Sequence, residues 1–310
     1  MQKVKNLVLK VKNLCYNLSD FILTRRIMYK IISKKRLNEA VTQMEIHAPE
    51  VAKKAEAGQF IILRVDETGE RIPLTIAGYS RGAGTVKIIF QTIGATTKKL
   101  SEKEAGEYIA DFVGPLGNPT KLDGLKNVCV VGGGVGTAIA LPIAEELKRR
   151  GAKVTSIIGF KNKDIVILED EFEKCSDALI VTTDDGSYKE RGNVCVPLAK
   201  LLTGGEKFDE VIAIGPVIMM KFVTETVKPT GIPVTVSMNP IMIDGTGMCG
   251  CCRLTVNRGG KRIVSFACVE GPDYSGYEVD FDEAMARLNQ YGEFERTAYE
   301  KACNLLKKEV

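Results

Sequence analysis

Between residue 28 and about residue 122, apolar and polar positions alternate in short bursts broken by turn residues. Tyr29-Lys-Ile-Ile-Ser-Lys-Lys-Arg36 is a plausible first strand. Gly58-Gln-Phe-Ile-Ile-Leu-Arg-Val65 and Thr85-Val-Lys-Ile-Ile-Phe-Gln91 are rich in branched residues. Turn signals lie at Glu67-Thr-Gly69, Arg81-Gly-Ala-Gly84 and Gly114-Pro-Leu-Gly117. Several short strands at this spacing predict a small β barrel. From about residue 125 the pattern changes. Asn127-Val-Cys-Val-Val131 reads as a short buried strand, and Thr137 to Lys148 as a helix. Strands follow at Lys153–Gly159, Ala178–Thr182 and Glu210–Ile214. Strands alternating with helices predict an α/β domain around a parallel sheet. After Val236 a glycine- and cysteine-rich stretch runs to about residue 280. Glu283 to Lys308 then reads as one helix, with Ala284, Leu288, Tyr291, Ala298, Ala302 and Leu305 as its apolar members. The expected organisation is therefore a barrel over 28–122, an α/β domain over 123–235, a small domain over 236–280 and a C-terminal helix over 281–310.

Composition adds little but excludes much. The chain has 310 residues, long enough for two or three domains, with 45% hydrophobic and 26% charged content, as in ordinary globular proteins. No run of eighteen apolar residues predicts a membrane span. A net charge of +4 is too small to argue for nucleic acid. The cysteines are odd in number, scattered, and lack the spacing of a secreted scaffold, which points to a reducing cytoplasm. Residues 1–27 stand apart, with six Lys and Arg against the single acid Asp20. Three readings compete for this extension: a start placed upstream of the true one at Met28, a basic amphipathic helix for a membrane surface or partner, or a targeting peptide.

Chemistry concentrates in Met242-Ile-Asp-Gly-Thr-Gly-Met-Cys-Gly-Cys-Cys-Arg253 and in Cys268. The spacing Asp244-x4-Cys249-x2-Cys252-x15-Cys268 follows the plant-type iron–sulfur run, with an aspartate at the first ligand position. Glycines 245, 247 and 250 let the backbone wrap closely and aim several amides at one centre. A [2Fe–2S] site is the leading reading. A zinc site and a set of unligated thiols remain as alternatives. Zinc lacks a second close pair or a histidine pair, since the only histidine is His47. Cys251 sits inside the run and reads as a bystander.

Gly132-Gly133-Gly134-Val135-Gly136 lies between a strand and a helix that opens at Thr137. A tight glycine turn there brings backbone amides and a helix N-terminus to a pyrophosphate. The strict dinucleotide spacing is met only loosely. The usual ribose-binding acid is missing, because that position falls in Gly159-Phe-Lys161. Lys161 is either a 2′-phosphate partner or a solvated lysine. Asp184, Asp185 and Gly186 follow the third strand, and Gly215-Pro216 the fourth, at the edge where ligands are expected.

These pieces in this order resemble the ferredoxin reductase-like flavoproteins. More narrowly, they resemble the electron-transfer subunits of dihydroorotate dehydrogenase and the small subunits of NADH-dependent reduced ferredoxin:NADP oxidoreductases. The resemblance covers residues 28 to about 285. It implies FAD on the strand Arg71-Ile-Pro-Leu-Thr75, with Arg71 at the pyrophosphate, Pro73, Leu74 and Thr75 along the isoalloxazine, and Thr75 near flavin N5. Gly94-Ala-Thr96-Thr97 would open a second phosphate-binding helix. NAD(H) would take the Gly132–Pro142 motif and the two later loops. Asp244-Gly-Thr-Gly-Met-Cys-Gly-x-Cys-Arg253, with the aspartate as ligand, is similar to the ferredoxin:NADP oxidoreductase string, whereas the dihydroorotate dehydrogenase subunits resemble four-cysteine sites. Cys251 stands at the variable position. The resemblance also implies a heterodimer with a larger subunit carrying a second FAD and [4Fe–4S] clusters, reaching ferredoxin through that partner and working by electron bifurcation. No side chain is expected to act as a general acid or base.

Overall fold

The computed structural model describes residues 28–306. The basic extension of residues 1–27, with its three competing readings, lies outside the described residues. Seven strands follow Met28 in chain order: β1 (Tyr29–Arg36), β2 (Val41–His47), β3 (Phe60–Arg64), β4 (Arg71–Ser80), β5 (Thr85–Gln91), β6 (Tyr108–Ile109) and β7 (Asp111–Leu116). Every pairing among them is antiparallel, in the spatial order β6-β1-β2-β5-β4-β3-β7. The two end strands are separated in sequence only by Ala110, so the sheet curls into a nearly closed barrel. Its interior is filled by Ile31, Met44, Ile46, Ile61, Leu63, Ile76, Ile88, Phe90 and Phe112, all at most 2% exposed. Two short helices accompany it, α1 (Pro49–Lys54) and α2 (Ala95–Glu102).

One predicted turn is a strand. Gly114 to Leu116 belongs to β7, and only Gly117, at φ 70°, turns the chain. The stretch stays extended because β7 forms the ladder with β3.

The α/β region follows the predicted order, with longer elements. It contains β8 (Asn127–Gly133), α3 (Gly136–Arg149), β9 (Lys153–Phe160), α4 (Glu169–Cys175), β10 (Ala178–Thr183), β11 (Glu190–Arg191), α5 (Cys195–Thr203), β12 (Glu210–Ile214), α6 (Val217–Val227) and β13 (Val234–Ser237). The sheet order is β11-β10-β9-β8-β12-β13-β16, where β16 is Asp273–Ser275. All pairings are parallel except β13 with β16. The order reverses between β8 and β12, which opens a crevice at the carboxyl edge between them.

The glycine- and cysteine-rich stretch forms a hairpin of β14 (Arg253–Arg258) and β15 (Lys261–Phe266). The chain then returns to the α/β sheet through β16. The expected single C-terminal helix is two: α7 (Phe281–Asn289), capped by Asp280 accepting from the Glu283 amide, and α8 (Gly292–Leu306). The break falls at Gln290-Tyr291, and α8 runs back against α2. One core joins the three regions. Phe60 and Ile62 of the barrel, Val131 and Val236 of the sheet, and Cys252, Leu254 and Cys268 of the cysteine segment pack together.

Candidate functional site

The flavin strand expected from the sequence is β4. Successive strand residues point to opposite faces. Arg71, Pro73 and Thr75 therefore share one face, opposite Arg64, Ile62 and Phe60 of β3. Phe60 and Ile62 belong to the core shared with Cys252 and Cys268, so this face looks toward the cysteine segment and the sheet. Leu74 differs. It packs with Ile72 against the barrel interior, so only its backbone faces the expected isoalloxazine side. Pro73 and Thr75 remain partly open to solvent. The Arg71 Nε is buried without a hydrogen-bond partner. An orphaned cationic donor of this kind fits an anionic group such as a phosphate.

Gly94 is the N-cap of α2. Thr97 Oγ1 accepts from the amides of Gly94 at 3.0 Å and Ile93 at 3.1 Å, and Thr96 donates to Glu70 at 3.3 Å. The first turn carries no acid, and a β-carbon at Gly94 would meet nothing within 4 Å. The helix opening is accessible and carries no acid of its own in the first turn, the nearby carboxylate being that of Glu70 on Thr96.

At the sheet, Gly132 and Gly133 are the last residues of β8, and the turn itself is only Gly134-Val135. Gly134 has φ 55°, and its amide donates to the Gly159 carbonyl at 2.9 Å. Gly133 and Gly136 serve close packing. A β-carbon on Gly133 would stand 2.2 Å from Met219 Sδ, and one on Gly136 would stand 2.5 Å from the Ile214 carbonyl. Helix α3 has no acid in its first turn and no side-chain cap, and the buried Thr137 Oγ1 lacks a partner. Gly215 abuts Gly133, which brings Gly215-Pro216 to the crevice. Asp184 and Asp185 are exposed and tied to the end of β9, their amides donating to Phe160 O at 2.9 Å and Lys161 O at 3.3 Å. Gly186 turns that loop at φ 77°. All these residues meet along one edge. Met219, to which the Gly215-Pro216 loop leads, packs against Gly133 and Gly215 at the same edge.

The cysteine segment is met as two pairs. Cys252 and Cys268 are buried, with sulfurs 3.2 Å apart, well beyond a disulfide bond. Burial first, then the Cys252 sulfur, pushes the Cys268 thiol up to about 12. Cys249 is exposed, and its thiol is held below the usual range, chiefly by the Cys251 amide and then by those of Asp244 and Ile243. Asp244 Oδ2 accepts from the Thr246 amide at 3.0 Å and from the Thr246 hydroxyl. These hydrogen bonds hold its carboxyl below the ordinary range, with the Arg71 charge contributing less. Among the described residues no three donor side chains enclose a single ion. The donor chemistry still fits an iron–sulfur centre: thiols, one carboxylate, and amides aimed at sulfur. The Cys251 sulfur lies 4.0 Å from the Cys249 carbonyl and also meets the Cys249 thiol, and its own carbonyl accepts from Arg287 at 3.3 Å.

Residues 239–280 match the family model described as the iron–sulfur cluster binding domain of dihydroorotate dehydrogenase B. A Thermotoga maritima protein described as a dihydroorotate dehydrogenase B (NAD(+)) electron transfer subunit homolog is 47% identical, over 88% of this chain and 94% of its own length. The Streptococcus pneumoniae dihydroorotate dehydrogenase B (NAD(+)) electron transfer subunit is 33% identical, over 78% of this chain and 96% of its own. Among solved structures, a chain of the NADH-dependent reduced ferredoxin–NADP oxidoreductase, studied for flavin-based electron bifurcation, superposes with a TM-score of 0.82. It is 45% identical, and the match covers 88% of this chain and 97% of that one. The chain belongs to the family of dihydroorotate dehydrogenase B electron transfer subunits and their homologues, on a ferredoxin reductase-like fold.

Proposed function

We propose that this chain is the NADH-side electron-transfer subunit of a bifurcating NADH-dependent reduced ferredoxin:NADP oxidoreductase. The observation that supports it best is the likeness to that oxidoreductase over nearly the whole of both chains. Asp244 at the first donor position favours it over service to a dihydroorotate dehydrogenase, the second reading, which the family model favours. The site residues would hold FAD, NAD(H) and a [2Fe–2S] cluster, which when bound would supply hydride exchange between flavin and nicotinamide and single-electron transfer.

The chain's own residues bind and orient. Arg71, with the opening of α2 at Gly94, Thr96 and Thr97, holds the flavin phosphates. Pro73, Thr75 and the Leu74 backbone would line the flavin ring, with Thr75 toward its reactive nitrogen. The Gly132–Thr137 turn and the α3 opening hold the dinucleotide phosphates, with Asp184, Asp185, Gly186, Gly215 and Pro216 around the remainder. Asp244, Cys249, Cys252 and Cys268 hold the cluster. No general acid or base is assigned. The domain limits follow the same scheme: FAD barrel 28–122, NAD region 123–235, cluster segment 236–280 and C-terminal helices beyond. The partner is a larger subunit with its own FAD and [4Fe–4S] clusters, through which ferredoxin is reached. Among the described residues no helix is long and apolar enough to cross a membrane. The scattered unpaired cysteines support a cytoplasmic setting.

An anaerobic ultraviolet–visible and EPR spectrum of the purified chain, before and after NADH, tests the reading. Flavin bleaching with a rhombic reduced [2Fe–2S] signal is expected. Absence of both chromophores in protein never exposed to air overturns it.

A further inference from the structure

The backbone of the ligand loop is held from outside by two arginines. The Arg253 guanidinium donates to the Gly250 carbonyl at 3.3 Å, and the Arg287 guanidinium donates to the Cys251 carbonyl at 3.3 Å. The next carbonyl, that of Cys252, accepts from the Ala267 amide at 3.1 Å. These peptides are trans, and a planar trans peptide points its N–H and C=O opposite ways. Each bonded carbonyl therefore fixes the following amide: that of Cys251 turns away from Arg253, and that of Cys252 turns away from Arg287. Arg258 and Arg262 on the same hairpin are answered by acids, Glu270 at 3.0 Å, Glu278 at 2.9 Å and Asp280 at 2.9 Å. Arg253 and Arg287 direct their donors to the loop instead, with no carboxylate in ion-pair range among the described residues. Arg287 comes from α7, beyond the 239–280 segment. Its half-buried side chain lines a cavity with Met238, Cys251, Leu254 and Ala284. Helix α7 is itself moored, the Asp280 amide donating to the Thr255 carbonyl at 3.0 Å and Asp282 pairing with Lys221 at 2.8 Å.

Resting on the functional reading above, we propose that Arg287 is a positioning residue for the cluster, fixing the peptide between Cys251 and Cys252 from outside the cluster segment and lending the loop a partly buried positive charge. Its donors take the carbonyl on one side of that peptide. The Cys252 amide is thereby set to the opposite side, where it can donate to a cluster sulfur. The apolar wall of Met238, Leu254 and Ala284 keeps water from fully screening the guanidinium. A cation held there favours the arrival of a further negative charge, so the reduced state gains.

Redox titration of the full-length chain with dithionite, followed by EPR of the cluster, tests this in wild type, Arg287→Leu and Arg287→Lys. Arg287→Leu, which keeps the apolar stem and removes charge and donors, is expected to disfavour cluster reduction about tenfold, or about 59 mV for one electron. Arg287→Lys, which keeps a charged donor, is expected to stay within about threefold of wild type. A Leu variant whose cluster potential stays within about threefold of wild type confines Arg287 to packing and overturns the proposal. A Lys variant that shifts as far as Leu, or that loses the cluster where Leu keeps it, overturns it too. If Arg287→Leu takes up no cluster, a cluster-bearing Arg287→Lys supports the proposal, and failure of both variants marks Arg287 as a folding residue and overturns it. A wild-type chain without a cluster fails the functional reading at that site, and this inference with it.

Discussion

Asp244 caps its own loop through Thr246, and this single residue separates the two functional readings. A carboxylate oxygen is a harder donor than thiolate. Asp244→Ala is therefore expected to change the reduced EPR spectrum and the cluster potential, and an unchanged spectrum removes Asp244 from the ligand set. Asp273 is a different kind of acid. Its carboxylate is buried and accepts from the Thr120 hydroxyl at 2.6 Å, and burial pushes its pKa up. The folded chain therefore keeps a proton that the unfolded chain has lost once pH passes the ordinary aspartate range, near 4. Stability falls as pH rises through that window up to the raised value. Asp273→Asn, which still accepts from Thr120, is expected to be more stable than wild type at pH 8 by on the order of 1–3 kcal/mol. The difference should shrink toward pH 5, and thermal melting at the two pH values checks it; an equal margin at both removes the titration. The Asp244–Cys252 run could be read as a motif because it is local in sequence. The Asp273–Thr120 bond could not, because it joins segments that only the tertiary fold brings together.

Among the elements, the glycine turns divide by the space around them. Gly136 fits against the Ile214 carbonyl and has no room for a methyl group, while Gly94 has open space and extended backbone at φ −136°. Gly136→Ala is expected to destabilise the chain by about 1–3 kcal/mol, as overpacking does. Gly94→Ala is expected to leave the melting temperature of flavin-free protein unchanged and to weaken FAD binding several-fold by fluorescence titration. Unchanged FAD affinity would make Gly94 a cap alone. The barrel strands and the strand–turn–helix unit were readable because their periods of two and 3.6 are strong and uninterrupted. The short edge strands β6, β11 and β16 carry too few residues to show a period. The split between α7 and α8 was hidden because apolar spacing runs through Leu288 and Tyr291, leaving Gly292 as its one signal.

Across the whole molecule, the barrel grips the cluster segment through Asn118. Its side-chain amide donates to the carbonyls of Val269 at 2.9 Å and Glu270 at 3.0 Å, and its backbone amide donates to Gly271 at 2.8 Å. Asn118→Ala removes the two side-chain bonds and leaves both carbonyls to solvent. The cost is expected to be about 0.5–1.5 kcal/mol per bond. Loss of the cluster's visible absorbance to a chelator should be correspondingly faster, and an unchanged rate would show that the shared core alone retains the segment. The three-part architecture was legible from the changes of pattern near residues 125 and 236. Its continuity was not, because the core that joins the parts draws on residues from each.

Strand β16 changes what kind of conductor this protein is. Five residues after Cys268 the chain enters the edge of the nucleotide sheet and pairs with β13, and the Met238 amide donates to Pro272 at 2.9 Å. The segment between these anchors is moored at both ends to the same sheet and laid against the barrel in its middle. It is wired in place rather than hung on an arm. A cluster held by this segment would therefore sit at a fixed place against the barrel, and electron transfer to it should be indifferent to solvent viscosity.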